Sequence, residues 1–211
     1  MPVILKYPIA AARTLALLLL LALTACGPGE PQVAPLKKNA VVLAFGDSLT
    51  YGTGAQPKDS YPAVLERLIG RRVIRSGVPG EISARGLARL PEVLDRYRPD
   101  LLILCHGGND FLRRRPRDAT EANIRAMIEL ARAKNIDVVL IGVPAPGLWI
   151  SEGAELFARV AKAYGLPYDA ETLAGIVTDR ALKSDTVHPN AKGYRKLAEA
   201  VAVLLRASGA I

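Results

Sequence analysis

The chain has 211 residues, of which 50% are hydrophobic and 5% aromatic, and its formal net charge is +8. This length suits a single domain with a sizeable buried core. The few aromatic residues are not interleaved with a basic stripe, so the composition argues against nucleic acid as a partner. The mild excess of positive charge favours anionic surfaces but does not identify one.

The first 25 residues have the pattern of a secretory signal peptide. Lys6 and Arg13 give a basic start, and the leucine-rich run that follows is too short to span about 30 Å of hydrocarbon as a helix. The run ends in small residues before Cys26, and this end is similar to the lipobox of bacterial lipoproteins, in which the cysteine becomes the lipidated first residue. An ordinary signal peptide with a chance cysteine at this place is the alternative.

The lipobox resemblance implies a location for the protein. A lipid anchor at Cys26 would attach it to the bacterial cell envelope, facing the periplasm, and Gly27 favours the outer membrane over the inner one. Residues 26–39 contain three prolines and two glycines, which predict a flexible tether, and the folded domain is predicted at residues 40–211. With Cys26 lipidated, Cys105 has no partner for an internal disulfide and is expected to be a small core residue.

Strand-like and helix-like segments alternate through the predicted domain. The predicted strands are residues 40–45, 72–76, 101–105, 138–143 and 166–168. The predicted helices are residues 61–69, 83–97, 119–134, 152–164 and 191–205, with Ser60 and Asn190 as N-caps of the first and the last. Strands without polar alternation that are separated by helices predict a parallel sheet covered on both faces. The expected architecture is a three-layer α/β/α sandwich with about five strands.

Ser48 lies just after the first predicted strand, in a turn that Gly46 and Gly52 bracket. A tight strand-to-helix turn would lift its hydroxyl and leave backbone N–H groups free to bind an oxyanion, which suits a nucleophile. The alternative is a serine that caps the start of a helix. The motif is not the Gly-x-Ser-x-Gly elbow of α/β-hydrolases, because Thr50 stands at the position of the second glycine.

His188 is one of only two histidines and is the candidate base. Asp185 lies three residues earlier, where it can bond the imidazole, fix its tautomer and support the cation that forms on protonation. A turn closed by Asp185, with His188 at the surface, is the structural alternative. His106 is the rival base, and we favour for it a role in packing or in substrate contact.

Gly80 and Asn109 follow the second and third predicted strands. Because sites in open α/β sheets form outside the carboxyl ends of the strands, we expect both near Ser48. The Asn109 amide and the backbone N–H groups of Gly80 and Ser48 are candidate oxyanion donors. Both segments can also be plain turns. Asp47 and Asp110 are expected to brace the loops rather than to react.

Two further segments allow a functional or a structural interpretation. Residues 113–115 are three consecutive arginines, which suit a solvated loop or a contact with an anionic substrate group. Trp149, with Leu148 and Ile150, can line an acyl or aryl pocket or pack its own loop. The sequence contains no cluster of metal ligands, phosphate loop or dinucleotide fingerprint, so no cofactor is expected.

Four short motifs occur in the order found in the SGNH (GDSL-type) hydrolases. They are Gly-Asp-Ser-Leu around Ser48, an isolated Gly80, Gly-x-Asn-Asp ending at Asp110, and Asp-x-x-His-Pro ending at Pro189. The chain resembles this family over residues 41–205, above all its bacterial group of thioesterase I, lysophospholipase L1 and arylesterase.

This resemblance implies a flavodoxin-like sandwich and a serine hydrolase that needs no cofactor. By motif, Ser48 would be the nucleophile, His188 the base and Asp185 its orienter. Gly80 and Asn109 would complete the oxyanion hole with the Ser48 N–H. The implied substrates are carboxylic esters of the arylesterase or lysophospholipase type, with thioesters also included. A carbohydrate acetylesterase and a non-catalytic envelope protein that binds lipid or glycan are the alternatives.

The sequence departs from the pattern of this group in two places. Glu81 stands where thioesterase-like relatives usually have aspartate, and Cys105-His106 replaces a more usual acidic and apolar pair. Thioesterase members are also often soluble, whereas this chain carries an anchor signal. These differences favour an arylesterase or a lysophospholipase over a dedicated acyl-CoA thioesterase.

Overall fold

The computed structural model describes residues 32–145 and 150–211, so the predicted signal peptide, the anchor at Cys26 and Trp149 lie outside the described residues. Five parallel strands form one sheet: β1 Val41–Gly46, β2 Arg72–Gly77, β3 Leu101–Cys105, β4 Asp137–Ile141 and β5 Tyr168–Asp169. Their order across the sheet is β2-β1-β3-β4-β5. This is the strand order of flavodoxin-like folds, so the predicted fold class is confirmed.

Eight α-helices flank the sheet in the described part of the chain: α1 Ser48–Tyr51, α2 Tyr61–Ile69, α3 Ser83–Tyr97, α4 Gly108–Leu112, α5 Arg117–Arg132, α6 Ile150–Tyr164, α7 Thr172–Thr178 and α8 Ala191–Ala207. Helix α2 packs against α8, and α3 packs against α5, which also contacts α6. Because parallel crossovers are right-handed, the change of direction after β2 puts α2 and α3 on opposite faces. None of these helices is long and apolar enough to cross a membrane.

The sheet lies at the centre of the core because its middle strands are apolar without interruption. Every residue of β3 is fully buried, as the neighbouring Phe45 in β1 is. Burial of one such leucine or phenylalanine side chain contributes about 1.5–3 kcal/mol. Strand β2 lies at the edge, and the exposed side chains of Arg72 and Arg75 suit that position.

Residues 32–40 pack along the domain instead of leading away from it. The Val33 and Leu36 side chains are buried, and their N–H groups donate to the carbonyl oxygens of Ser208 at 2.9 Å and Ala210 at 2.8 Å. The domain boundary predicted at residue 40 therefore falls inside the packed part. The prolines and glycines of this segment favour a tether, whereas the structure shows the Val33 and Leu36 side chains packed into the hydrophobic core.

The five predicted strands and five predicted helices are all present, with ends that differ by at most two residues. The predicted N-cap at Asn190 is confirmed, because its Oδ1 accepts from the N–H groups of Lys192 and Gly193. Ser60 precedes α2 as predicted, but its hydroxyl donates to the Pro57 carbonyl and does not cap the helix. No bounds are predicted from the sequence for α1, α4 or α7, because a helix of one or two turns is too short to show a helical period.

Candidate active site

The carboxyl ends of three neighbouring strands bring the predicted site residues together. Ser48 follows β1 as the first residue of α1, Gly80 lies three residues beyond β2, and Asn109 lies in α4 just after β3. Because β1 lies between β2 and β3 in a parallel sheet, these three ends share one edge. The three residues and His188 all line one cavity of about 540 Å³.

Ser48, His188 and Asp185 form a continuous chain of hydrogen bonds. The Ser48 Oγ lies 2.9 Å from His188 Nε2, and His188 Nδ1 lies 2.7 Å from Asp185 Oδ2. Because a carboxylate only accepts, Nδ1 carries the proton, and the lone pair on Nε2 is left to accept from the Ser48 hydroxyl. Such an arrangement can remove the hydroxyl proton while the oxygen attacks a carbonyl carbon.

Asp185 is kept ionised by its neighbours. Its Oδ1 accepts from the backbone N–H groups of Val187 at 2.9 Å and His188 at 2.8 Å, so Asp185 closes a turn as well as bonding the imidazole. Burial raises the pKa of Asp185, but these backbone bonds and the His188 ring outweigh it, and the pKa lies below its ordinary value. The carboxylate can therefore support a positive charge on His188 at neutral pH.

Two glycines allow the sharp turn at Ser48. A Cβ atom at Gly46 would lie 2.0 Å from the Cys105 carbonyl oxygen, and one at Gly77 would lie 2.2 Å from the Tyr51 backbone nitrogen. The strand and the short helix can approach their neighbours this closely only because these positions carry no side chain. The predicted tight strand-to-helix turn is confirmed.

Two buried aspartates brace the loops around the turn, as the sequence predicts. Asp47 accepts from the Leu49 N–H at 3.0 Å and from Asn109 Nδ2 at 3.2 Å. Burial raises the pKa of Asp47, more than these hydrogen bonds lower it. Asp110 accepts from the N–H and the hydroxyl of Ser83, both at 2.7 Å. Asp47 therefore links the Ser48 turn to Asn109, and Asp110 links α4 to the start of α3.

Gly80 and Asn109 lie in the cavity wall beside Ser48. Gly80 has a φ of +76°, which glycine adopts readily, and its carbonyl accepts from Arg113 Nη2 at 2.8 Å. The side-chain nitrogen of Asn109 carries two hydrogens, and the bond to Asp47 uses one of them. Within residues 32–145 and 150–211, the backbone N–H groups of Ser48 and Gly80 donate to no protein acceptor. All three groups can therefore donate to an oxyanion in the cavity.

His106, the rival base, is fully buried. Its Nδ1 accepts from the Gly107 N–H at 2.9 Å, and its Nε2 lies 3.2 Å from Glu81 Oε2. It does not line the cavity that holds Ser48. Of the two roles favoured from the sequence, packing is therefore confirmed and substrate contact is not. Cys105 is also buried, as predicted.

The cavity walls are mainly apolar, and α7, which the sequence did not assign to the site, forms part of them. Helix α7 contributes Leu173 and Val177, and the only signal for it was the helical spacing of Leu173 and Ile176. The residues at 113–115 are exposed, as a solvated loop would be, and Trp149 lies outside the described residues. The apolar side chains of the wall are Leu49, Pro79, Leu112, Val143, Pro144, Ala145, Leu173, Val177 and Val187.

The described residues contain no group of three or more His, Cys, Asp or Glu side chains that could hold a metal ion. The reactive groups that the structure places at the site are the Ser48 hydroxyl, the His188 imidazole, the Asp185 carboxylate and the three N–H donors. Together these are the parts of a nucleophilic acyl-transfer site.

Comparison with known proteins identifies the family. Residues 44–196 match the model of the GDSL-like Lipase/Acylhydrolase family. The chain belongs to this family. The GDSL-like hydrolase is 29% identical over 172 residues to Esterase TesA of Pseudomonas aeruginosa, covering 76% of the chain and 85% of the relative. It is 29% identical over 173 residues to an arylesterase of Vibrio mimicus, covering 76% and 86%.

A third relative is Thioesterase 1/protease 1/lysophospholipase L1 of Escherichia coli K12, 28% identical over 156 residues, with 71% of this chain and 75% of the relative covered. Among solved structures, the crystal structure of TesA matches with a TM-score of 0.74 and 28% identity, covering 79% of this chain and 98% of that one. The resemblance predicted from the motifs is confirmed. The GDSL-like hydrolase is a carboxylic-ester hydrolase, not the non-catalytic binding protein considered as an alternative.

Proposed function

We propose that this GDSL-like hydrolase is an esterase of the arylesterase or lysophospholipase type, which also accepts thioesters, and that it forms an acyl-enzyme on Ser48. The observation that carries the proposal is the hydrogen-bond chain from Ser48 through His188 to Asp185 at a largely apolar cavity. The names of two relatives, arylesterase and thioesterase 1/protease 1/lysophospholipase L1, support these substrate types.

The first half of the reaction acylates Ser48. Its Oγ attacks the carbonyl carbon of the ester while His188 Nε2 takes the hydroxyl proton, and Asp185 supports the imidazolium that results. When the tetrahedral intermediate collapses, the bond to the leaving group breaks and Nε2 gives the proton to the departing oxygen or sulfur. The acyl group is then bound to Ser48 as an ester.

The second half releases the acid and restores the site. His188 Nε2 takes a proton from a water molecule, whose oxygen attacks the acyl carbon. Collapse of the second tetrahedral intermediate breaks the bond to Ser48 Oγ, which recovers its proton from Nε2. In both intermediates, the N–H groups of Ser48, Gly80 and Asn109 donate to the negative oxygen. Donors that are already in place stabilise this charge without reorganisation.

The apolar lining of the cavity favours substrates with an apolar acyl or aryl group. Side chains such as Leu173, Val177 and Val143 surround the space next to Ser48, and no charged side chain except Asp47 is among the described residues that line it. Asp47 is engaged by Leu49 and Asn109 and is not available to a substrate. An apolar group gains about 25 cal/mol for each Å² that it removes from water, so this wall favours acyl chains and aryl rings over sugars.

A panel of four substrates tests the proposal: a short aryl ester, a lysophospholipid, an acyl-CoA and an acetylated sugar. We expect the highest kcat/KM for the aryl ester or the lysophospholipid and little turnover of the acetylated sugar, because the wall of the cavity is apolar. Slower turnover of acyl-CoA is expected because Glu81 and Cys105-His106 depart from the pattern of the thioesterase group. The initial rates should depend on Ser48, as the Ser48→Ala enzyme run in parallel will show. Turnover confined to the acetylated sugar would contradict the proposal in favour of a carbohydrate acetylesterase.

The sequence pattern supports a second element of the proposal, a lipid anchor at Cys26 that holds the enzyme in the cell envelope. The full chain expressed in a bacterium should incorporate labelled palmitate and sediment with membranes. Cys26→Ser should lose both properties, because no thiol is left to receive the lipid. Cys105→Ser is the matched control and should keep them, since Cys105 is buried in the domain. A wild-type protein that is exported without label would support an ordinary signal peptide instead.

A further inference from the structure

A buried polar cluster lies behind the two loops that carry the candidate oxyanion donors. Glu81 directly follows Gly80, and His106 precedes Asn109 by three residues. Glu81 is only 7% exposed and His106 is 0% exposed. Neither residue lines the cavity, so neither can touch a substrate bound beside Ser48.

The Glu81 carboxylate is fixed by partners on two sides. Its Oε2 lies 3.2 Å from His106 Nε2, while Arg89 donates from Nε to Oε1 at 3.0 Å and from Nη2 to Oε2 at 2.7 Å. Arg89 is itself held by Ser76 Oγ at 2.8 Å and lies over the Phe45 ring. Burial raises the pKa of Glu81, but the hydrogen bonds from His106 and Arg89 bring it to about 2, so the carboxylate stays charged.

The His106 ring has one possible proton arrangement in this setting. The Gly107 N–H points at Nδ1 at 2.9 Å, so Nδ1 must supply a lone pair and the ring proton lies on Nε2. His106 therefore donates to the Glu81 carboxylate and accepts from the backbone just before Asn109. A hydrogen bond to a charged partner is stronger than one between neutral groups, and its loss leaves a buried group without a partner.

The space for this ring is built into α3. A Cβ atom at Gly86 would lie 2.3 Å from His106 Nε2, so any side chain at position 86 would displace the imidazole from Glu81. The ring thus fills a slot between α3 and the end of β3. Its contact with Glu81 connects the segment after β2 to the segment after β3.

We infer that Glu81 and His106 are positioning residues for the oxyanion site: their buried contact holds the Gly80 segment against residues 107–109, so that the two donors converge on one oxygen. This inference rests on the proposed function. Oxyanion donors act over a narrow range of about 2.7–3.1 Å, and a misplacement of about 1 Å can cost about 10²-fold in rate. A link between the two donor-bearing loops therefore affects the transition state without touching the substrate.

Two substitutions of His106 distinguish its contact with Glu81 from the hydrogen bond that it accepts from the Gly107 N–H. Gln places an amide N–H near the position of Nε2, so His106→Gln can keep the contact with Glu81 and loses the acceptor for Gly107. Asn places an oxygen near the position of Nδ1, so His106→Asn can keep the bond from Gly107 and loses the contact with Glu81. Both variants remove the ring, which makes them controls for each other.

The readouts are kcat and KM for an aryl ester, together with the inhibition constant of a boronic acid that forms a tetrahedral adduct with the active serine. Rates are expressed per active site, counted by titration with a fluorophosphonate, so misfolded protein does not contribute. We expect His106→Asn to lower kcat about tenfold with KM unchanged and to weaken the boronic acid by a similar factor. His106→Gln should stay within about threefold of the wild type in both.

Two reference variants serve as a positive and a negative control for the effect on kcat. Asn109→Ala should lower kcat by about 10²–10³-fold, because one donor is lost outright. Lys134→Gln breaks the ion pair of Lys134 with Asp95 at the other end of the sheet and should leave the rates unchanged. If His106→Asn does not fold, Glu81→Gln replaces it, since the neutral amide weakens the same contact while keeping the shape of the side chain.

Two outcomes would contradict the positioning role of Glu81 and His106 without contradicting the proposed function. In one, Asn109→Ala has its expected effect but His106→Asn keeps the wild-type kcat and boronic acid affinity. In the other, Asn and Gln at position 106 lose activity equally, which would assign the effect to the ring and not to the link with Glu81. If Asn109→Ala itself leaves kcat unchanged, the oxyanion site of the proposed function is wrong, and the inference falls with it.

Discussion

Replacing Ser48 by alanine is expected to lower kcat for a short aryl ester by roughly 10⁶-fold, as loss of the nucleophile does in a serine protease triad. This corresponds to about 8 kcal/mol of transition-state stabilisation. The Ser48 hydroxyl is within hydrogen-bond reach of His188 Nε2, and alanine leaves that base without a nucleophile to deprotonate. Labelling by a fluorophosphonate should also disappear. The measurement is kcat under saturating substrate, with purified protein of both forms.

Ser208→Ala is the matched control for this substitution. Ser208 is a buried serine whose hydroxyl donates to the Leu205 carbonyl near the end of α8, outside the wall of the cavity. Its loss should leave kcat and labelling unchanged. The Ser48→Ala protein should unfold at nearly the wild-type temperature, because glycines at positions 46 and 77 shape the turn. A Ser48→Ala enzyme with the wild-type kcat would remove Ser48 from the mechanism.

Replacing His188 by alanine is expected to lower kcat by a similar factor, roughly 10⁶-fold, because no other base within the described residues reaches Ser48 Oγ. Asp185 would lose its imidazole partner at 2.7 Å but keep its two backbone bonds, so the loop should retain its shape. KM for the aryl ester should change little, since the apolar wall is intact. Fluorophosphonate labelling should become very slow instead of vanishing, because the Ser48 hydroxyl is still present.

The second histidine provides the comparison for His188. His106→Ala should cost kcat about tenfold through the position of the oxyanion donors, which leaves a gap of several orders of magnitude between the two variants. Restoring rate with added imidazole is expected for His188→Ala only, since His106 is buried away from the cavity. A larger loss in His106→Ala than in His188→Ala would reverse the assignment of the base.

The fold was predictable because its signals are local and strong. Strands such as Leu101–Cys105 are uninterrupted apolar runs, and helices such as Ser83–Tyr97 carry an apolar stripe at helical spacing. The strand order β2-β1-β3-β4-β5 was implied by the family resemblance and not by these local signals, because right-handed crossovers between parallel strands are compatible with more than one order. The assignment of residues 32–39 to a flexible tether is wrong, because the prolines and glycines of residues 26–39 are a stronger compositional signal than the two apolar side chains, Val33 and Leu36, that the fold buries.

The catalytic residues of the site were predictable because they lie in short sequence motifs. The residues that line the cavity were not, because the packing of the folded chain determines which of them reach it. Ser48, Asp185 and His188 stand out because few residue types can act as nucleophile, orienter and base. The apolar wall from α7 was not predictable, since Thr172–Thr178 has a central glycine and several β-branched residues, which are poor helix formers. The contact of Glu81 with His106 joins residues 25 positions apart, and only the folded chain reveals it.

The packing of residues 32–40 also determines at which end of the sheet the chain joins the domain. The Ala34 N–H donates to the Asp137 carboxylate at the beginning of β4, whereas Ser48 lies beyond the opposite end of β1. Strand β1 has six residues and spans about 20 Å, so the chain joins the domain at one end of the sheet and the cavity lies at the other. Immobilisation through the amino terminus should therefore leave the cavity open.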